Sequence, residues 1–149
     1  MAKAKKEQIE ELNELIEIEA DALELYDEAF GHIADPHIRE ALEAIEADHE
    51  RHVADLIQLV LDLGGKTPPP PAGRDVKGTV VRAKHALRSA TGTRGAVKAL
   101  RTDEDLTRKT YEKAADVALP EPLAEVITRN LHDERRHLAI IEAMLDEDR

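Results

Sequence analysis

The sequence lacks cysteine and tryptophan and has a single phenylalanine among its 149 residues. The absence of cysteine excludes disulfides, thiolate zinc sites, iron–sulfur clusters and rubredoxin-type centres. Because aromatic residues make up only 2% of the chain, the core must be built from Leu, Ile, Val and Ala, which is typical of helical bundles. We therefore expect an all-α fold.

The sequence also lacks long apolar stretches and an excess of positive charge. No segment approaches the roughly 20 apolar residues of a membrane-spanning helix, and no apolar segment of the secretory type follows the basic start of the chain. The sequence has 32 acidic and 21 basic residues. The resulting net charge of -11 repels nucleic acid phosphates and anionic membrane surfaces. We expect a cytoplasmic protein that binds neither nucleic acid nor membranes.

Apolar residues recur at steps of three and four along most of the chain, which predicts long amphipathic helices. We predict helical hairpins at residues 5–63 and 93–147, joined by residues 64–92. The connector contains four consecutive prolines, which favour an extended segment, followed by a shorter helix. The prediction is a single domain, residues 1–149, that folds as an antiparallel four-helix bundle with a long crossover connection containing this extra helix.

The two predicted hairpins resemble each other at an offset of 85 residues, and the matched positions include polar residues within the apolar stripes. The matched pairs are Glu19 with Glu104, Tyr26 with Tyr111, His49 with Glu134, and His52 with His137. Residues three apart lie on one face of a helix, so the six acids and histidines could converge in the core. Burying such charges costs several kcal/mol each unless a partner compensates, and two divalent cations would do so.

Simpler interpretations exist for each residue taken alone. A single buried glutamate or histidine is more often a hydrogen-bonded core residue than a ligand, and the tyrosines could merely pack in the seam. A hydrogen bond from Tyr26 or Tyr111 to a ligating glutamate is the alternative. The matched spacing of the whole set favours a metal site, and mixed carboxylate and imidazole ligands suit iron, manganese or zinc.

This arrangement resembles the ferritin-like di-iron carboxylate family, in which single glutamates from two helices join Glu-x-x-His pairs from the other two. Glu19 and Glu104 match the single glutamates, and Glu134 with His137 matches one pair. The tyrosine seven residues after each single glutamate is similar to a feature of rubrerythrin-like members.

The second predicted helix departs from the family pattern and leaves two interpretations open. The internal repeat places His49 and His52 at the ligand positions, with histidine where glutamate is expected. The family pattern instead favours Glu46 and His49 as the Glu-x-x-His pair. Arg51 and Arg136, also matched by the repeat, are expected to form salt bridges beside the site.

The resemblance implies a di-metal protein, with iron preferred and manganese or zinc as alternatives, that reacts with dioxygen or peroxide as a ferroxidase or peroxidase. No catalytic residue is predicted beyond the metal ligands. One alternative is a non-enzymatic metal-binding or iron storage and handling protein. Another is a structural bundle that dimerises and uses its buried polar layer to set register. We expect a homodimer rather than a cage.

Overall fold

The computed structural model describes residues 4–67, 85–88 and 92–147, and these residues form helices without any strand. The long helices within these ranges are α1 (Lys5–Ala29), α2 (Pro36–Asp62), α3 (Gly92–Ala115) and α4 (Leu123–Glu147), and a short 3-10 turn, Phe30–His32, links α1 to α2. None of the described helices is long and apolar enough to cross a bilayer. The all-α prediction is confirmed.

The limits of α2 follow from its sequence. The Asp35 side chain accepts hydrogen bonds from the backbone N–H groups of His37 and Ile38 at 2.9 and 3.2 Å, and Pro36 occupies the first helical position, where its missing N–H costs nothing. At the other end, Gly64 has a φ of 77°, the left-handed conformation that commonly ends helices.

Neighbouring helices of the bundle are antiparallel. The pairs in contact are α1 with α2, α3 with α4, α1 with α3, and α2 with α4. Two apolar clusters fill the two ends of the bundle. The turn-end cluster, next to the α1–α2 turn, includes Leu25, Ile33, Leu42, Ile45, Leu87, Val97, Leu100, Ile141 and Leu145. The far-end cluster includes Leu12, Leu15, Ile16, Leu56, Leu59, Val60, Tyr111, Leu123, Ile127 and Leu131.

The predicted crossover lies largely outside the described residues, as do its prolines. Residues 85–88 are helical, and Leu87 is fully buried in the turn-end cluster. This part of the connector therefore packs on the bundle.

Candidate metal centre

The six predicted ligand residues meet between the two apolar clusters. They are Glu19, His49, His52, Glu104, Glu134 and His137, and each has 0% of its surface exposed. They form two overlapping groups, in each of which the potential ligand atoms lie within 4.8 Å of one another. The first group is Glu19, His49, His52 and Glu134, and the second is His49, Glu104, Glu134 and His137. The two groups share His49 and Glu134.

Helix periodicity explains how these residues reach one layer. His49 and His52 lie three residues apart on α2, and Glu134 and His137 have the same spacing on α4, so each pair shares a face. On α2 the pair lies between Ile45 of the turn-end cluster and Leu56 of the far-end cluster. Apolar residues above and below thus hold the polar layer at a fixed height in the bundle.

Glu19 from α1 anchors the first group. Its carboxylate oxygens lie 2.5 Å from His49 Nδ1 and 2.6 Å from His52 Nδ1. Tyr111 donates a hydrogen bond to Glu19 Oε2 at 3.0 Å and accepts one from the Asn130 side chain at 3.2 Å. The α3 tyrosine therefore fixes the carboxylate of α1.

Glu104 from α3 occupies the position in the second group that Glu19 occupies in the first. Its Oε1 lies 2.6 Å from His49 Nε2 and accepts a hydrogen bond from the Tyr26 hydroxyl at 2.5 Å. His137 Nδ1 lies 3.7 Å from Glu104 Oε2 and 3.5 Å from Glu134 Oε2. Both tyrosines thus donate a hydrogen bond to the glutamate of the opposite hairpin.

Two aspartates contact the outer nitrogen atoms of two of the histidine rings. His52 Nε2 lies 2.9 Å from Asp133 Oδ2, and His137 Nε2 lies 2.8 Å from Asp48 Oδ2. Each contact leaves the Nδ1 atom of its ring facing the centre, and such carboxylate contacts fix the ring and raise its basicity as a ligand. Helical periodicity does not predict this role, although Asp48 and Asp133 are matched by the internal repeat.

Two arginines beside the site form ion pairs with these same aspartates. Arg51 lies 3.3 Å from Asp48 and 2.8 Å from Asp133, while Arg136 lies 2.7 Å from Asp48 and 3.4 Å from Asp133. The predicted salt bridges are therefore present. The guanidinium groups of both arginines are partly exposed, so this side of the layer faces solvent.

Charge interactions inside the layer shift several pKa values. Burial raises the pKa of Glu19 and Glu104, but His49 together with His52 beside Glu19, and His49 together with His137 and Glu134 beside Glu104, outweigh burial and bring both pKa values below their usual range. Burial opposes protonation of His49, yet Glu104, Glu134 and Glu19 raise its pKa well above normal. Burial also raises the pKa of Glu134 to about 7, despite the nearby His49. Without metal, the layer therefore holds carboxylates paired with protonated imidazoles.

The donor set also fits metal ions. Glu104 Oε2, both carboxylate oxygens of Glu134 and His137 Nδ1 are buried without a hydrogen bond of good geometry among the described residues. Such buried polar atoms are costly. Glu134 Oε1 faces His52 of the first group, and the other three atoms face one another in the second. Carboxylate oxygens with imidazole nitrogens are ligands that iron, manganese and zinc accept.

Glu46, the alternative ligand on α2, lies outside both groups. Its side chain is half-buried, and burial together with the neighbouring Asp27 carboxyl of α1 raises its pKa to about 8. The geometry therefore favours the interpretation in which His49 and His52 form the α2 pair. His132, on the same helix as Glu134, is exposed.

Comparisons with known proteins agree with this architecture. The sequence profile of a domain of unknown function, DUF2383, matches residues 7–117, and no curated protein matches the chain. A crystal structure of ferritin-like, diiron-carboxylate proteins from Bacillus anthracis str. Ames has a TM-score of 0.73 and 24% identity, covering 97% of this chain and 99% of that chain. This likeness confirms the predicted ferritin-like fold. Because the profile matches well over half of the sequence, the chain belongs to the DUF2383 family, here folded as a ferritin-like four-helix bundle.

Proposed function

We propose that the protein binds two metal ions, preferably iron, in the buried layer and reacts with dioxygen or peroxide as a ferroxidase or peroxidase. The observation that carries this proposal is the pair of overlapping four-residue groups in one buried layer. Glu19 and His52 would hold one ion, Glu104 and His137 the other, and His49 and Glu134 face both. The diiron-carboxylate description of the similar Bacillus anthracis structure supports iron.

The chain's own residues would position and shield the ions. Bound iron would supply the electrons for reducing the oxidant. Tyr26 and Tyr111 hold the single glutamates in place through their hydroxyl groups, and Asp48 and Asp133 hold the outer nitrogens of the histidines. The apolar clusters exclude water from both sides, which strengthens electrostatic interactions inside the layer.

Complete burial of the six residues also favours a second function, in which the ions stay fixed or are stored and delivered without turnover. Under this alternative the site binds metal but does not consume oxidant. Steady-state peroxide consumption with Fe(II) distinguishes the two functions. A static site shows at most one turnover per centre, whereas a peroxidase or ferroxidase continues to react while Fe(II) is supplied.

Metal analysis tests the centre itself. We expect about two ions per chain in wild-type protein reconstituted anaerobically with Fe(II), and a loss of metal in the variants His52→Ala and Glu134→Ala. The variant His132→Ala is the matched control because this histidine is exposed on α4 and should leave the metal content unchanged. Equal metal content in all four proteins would contradict the proposed centre.

A further inference from the structure

His49 occupies an unusual place in the layer. It is one of the two residues that belong to both candidate groups, and the other, Glu134, is its match in the internal repeat. A histidine therefore stands where the second half of the chain has a carboxylate that faces both groups.

The two ring nitrogens of His49 face different groups. Nδ1 lies 2.5 Å from Glu19 Oε1 and 3.6 Å from Glu134 Oε1, on the side of the first group. Nε2 lies 2.6 Å from Glu104 Oε1, on the side of the second. Both nitrogens of this ring are thus directed at potential ligands of an ion.

The other two histidines differ in this respect. His52 and His137 each turn only Nδ1 toward the centre, because their Nε2 atoms contact Asp133 and Asp48. Each of these rings can give a single nitrogen to a single ion. Among the three histidines of the layer, His49 alone has both nitrogens available within it.

We propose that His49 bridges the two metal ions, with Nδ1 bound to the ion of Glu19 and His52, and Nε2 bound to the ion of Glu104 and His137. This inference rests on the proposed function and specifies the geometry of its centre. Glu134 bridges on the other side in a similar way, since its Oε1 is 3.1 Å from His52 Nδ1 and its Oε2 is 3.5 Å from His137 Nδ1. Each bridge uses different atoms for the two ions.

A bridging imidazole needs two lone pairs, whereas a neutral ring has one lone pair and one N–H. When the second ion binds, the ring therefore gives its remaining proton to solvent, and the metal replaces that proton. No electron transfer is involved.

The bridge separates the ions by the width of the ring. Two metal–nitrogen bonds of about 2 Å and the span between the ring nitrogens give roughly 6 Å. Two-metal sites with closer bridges have separations of about 3.5–4 Å. The distance between the ions therefore distinguishes a histidine bridge from a carboxylate-only centre.

Crystallography of the Zn(II)-loaded protein, with anomalous scattering at the zinc edge, tests the proposal. We expect two zinc ions roughly 6 Å apart on opposite edges of the His49 ring. In the variant His49→Glu, which restores the Glu-x-x-His pattern, the separation should contract to about 3.5–4 Å. A wild-type separation of about 4 Å or less, a single ion, or His49 bound to one ion only would overturn the bridge while leaving a metal centre in place.

Zn(II) titration in solution provides an independent test. His49→Ala should weaken both binding steps by at least about tenfold, whereas His52→Ala and His137→Ala should each weaken one step strongly, since even loss of a partner behind a ligand costs this much. His132→Ala is the control. A His49→Ala variant that retains one wild-type step would contradict the bridge. Wild-type protein that binds no Zn(II), Fe(II) or Mn(II) would overturn the proposed function itself, and the bridge with it.

Discussion

In the metal-free site, individual histidines have raised pKa values. Burial opposes protonation of His52 and His137, but the surrounding carboxylates outweigh burial and raise their pKa values to about 10 and about 9. Carboxylates from two neighbouring helices face His52, namely Glu19 on α1 and both Asp133 and Glu134 on α4. The unfolded chain would bind these protons only below about pH 6.5.

We predict that the metal-free protein loses stability as the pH rises from about 6.5 to 9.5. In this range the folded state holds protons on His52 and His137 that the unfolded state has released, so their contribution is complete below about pH 6.5 and disappears as the folded pKa values are passed. The raised pKa of Glu134, about 7, acts in the same direction but mainly below this range, because its contribution is lost between the unfolded pKa and about pH 7. Urea unfolding midpoints in the presence of a chelator, measured across this range, check the prediction.

Metal binding should show the opposite trend, because the ions compete with these protons. The apparent affinity for Zn(II) is expected to rise over the same pH range, with a shallower rise in His52→Gln than in the exposed control His132→Gln. A metal-free stability that stays constant or increases up to pH 9.5 would show that the histidines are not held protonated by the carboxylates.

At the scale of helices, α2 and α4 are joined by two crossed contacts. Asp48 directly precedes His49 on α2 and contacts His137 of α4, while Asp133 directly precedes Glu134 on α4 and contacts His52 of α2. Each helix thus orients a histidine of the other. The contacts also couple the spacing of the two helices to the geometry of the centre.

We predict that Asp48→Asn and Asp133→Asn each lower the affinity for Fe(II) or Zn(II) by about 10–100-fold, because an amide is a weaker partner for the outer ring nitrogen than a carboxylate. Competition with a chromophoric chelator measures the effect. Each variant should affect one of the two binding steps more than the other, since each aspartate contacts the histidine of a single group.

The matched control is Asp55→Asn. Asp55 of α2 pairs with Arg129 of α4 at 3.1 Å, so it also links these two helices, but it does not contact a histidine of the site. Its substitution should leave the metal affinity within about twofold of wild type. An equal loss of affinity in all three variants would mean that helix pairing, rather than ring orientation, determines binding.

Sequence periodicity was sufficient to identify α1 to α4 and the six inward-facing acids and histidines. It could not identify the crossed aspartates, because Asp48 and Asp133 lie at the edge of their helical faces and their partners depend on the distance between α2 and α4. The choice between Glu46 and His52 was open for a similar reason. Both flank His49 at three-residue spacing, and only the packing of the helices shows that Glu46 lies beside Asp27 and outside both groups.

Across the bundle, the polar layer divides the core. The turn-end cluster and the far-end cluster are separated by a layer that receives acidic and histidine side chains from all four long helices. Without metal, three buried carboxylates and three imidazoles must compensate one another, which seldom yields more stability than apolar packing would. Ions bound between the helices would connect both hairpins through the centre of the bundle.

We therefore predict that metal binding stabilises the entire bundle rather than one helix. A ligand that binds only the folded state adds about 2.7 kcal/mol at a free concentration of 100 times its dissociation constant, so melting of the Zn(II)-loaded protein should occur several degrees above that of the chelated protein, in one cooperative transition. Circular dichroism at the helix band measures this. Glu134→Ala, which removes a ligand common to both groups, should melt at the same temperature with and without Zn(II). If exhaustive chelation leaves the melting of wild-type protein unchanged, the polar layer acts only to set helix register, and the structural alternative replaces the metal centre.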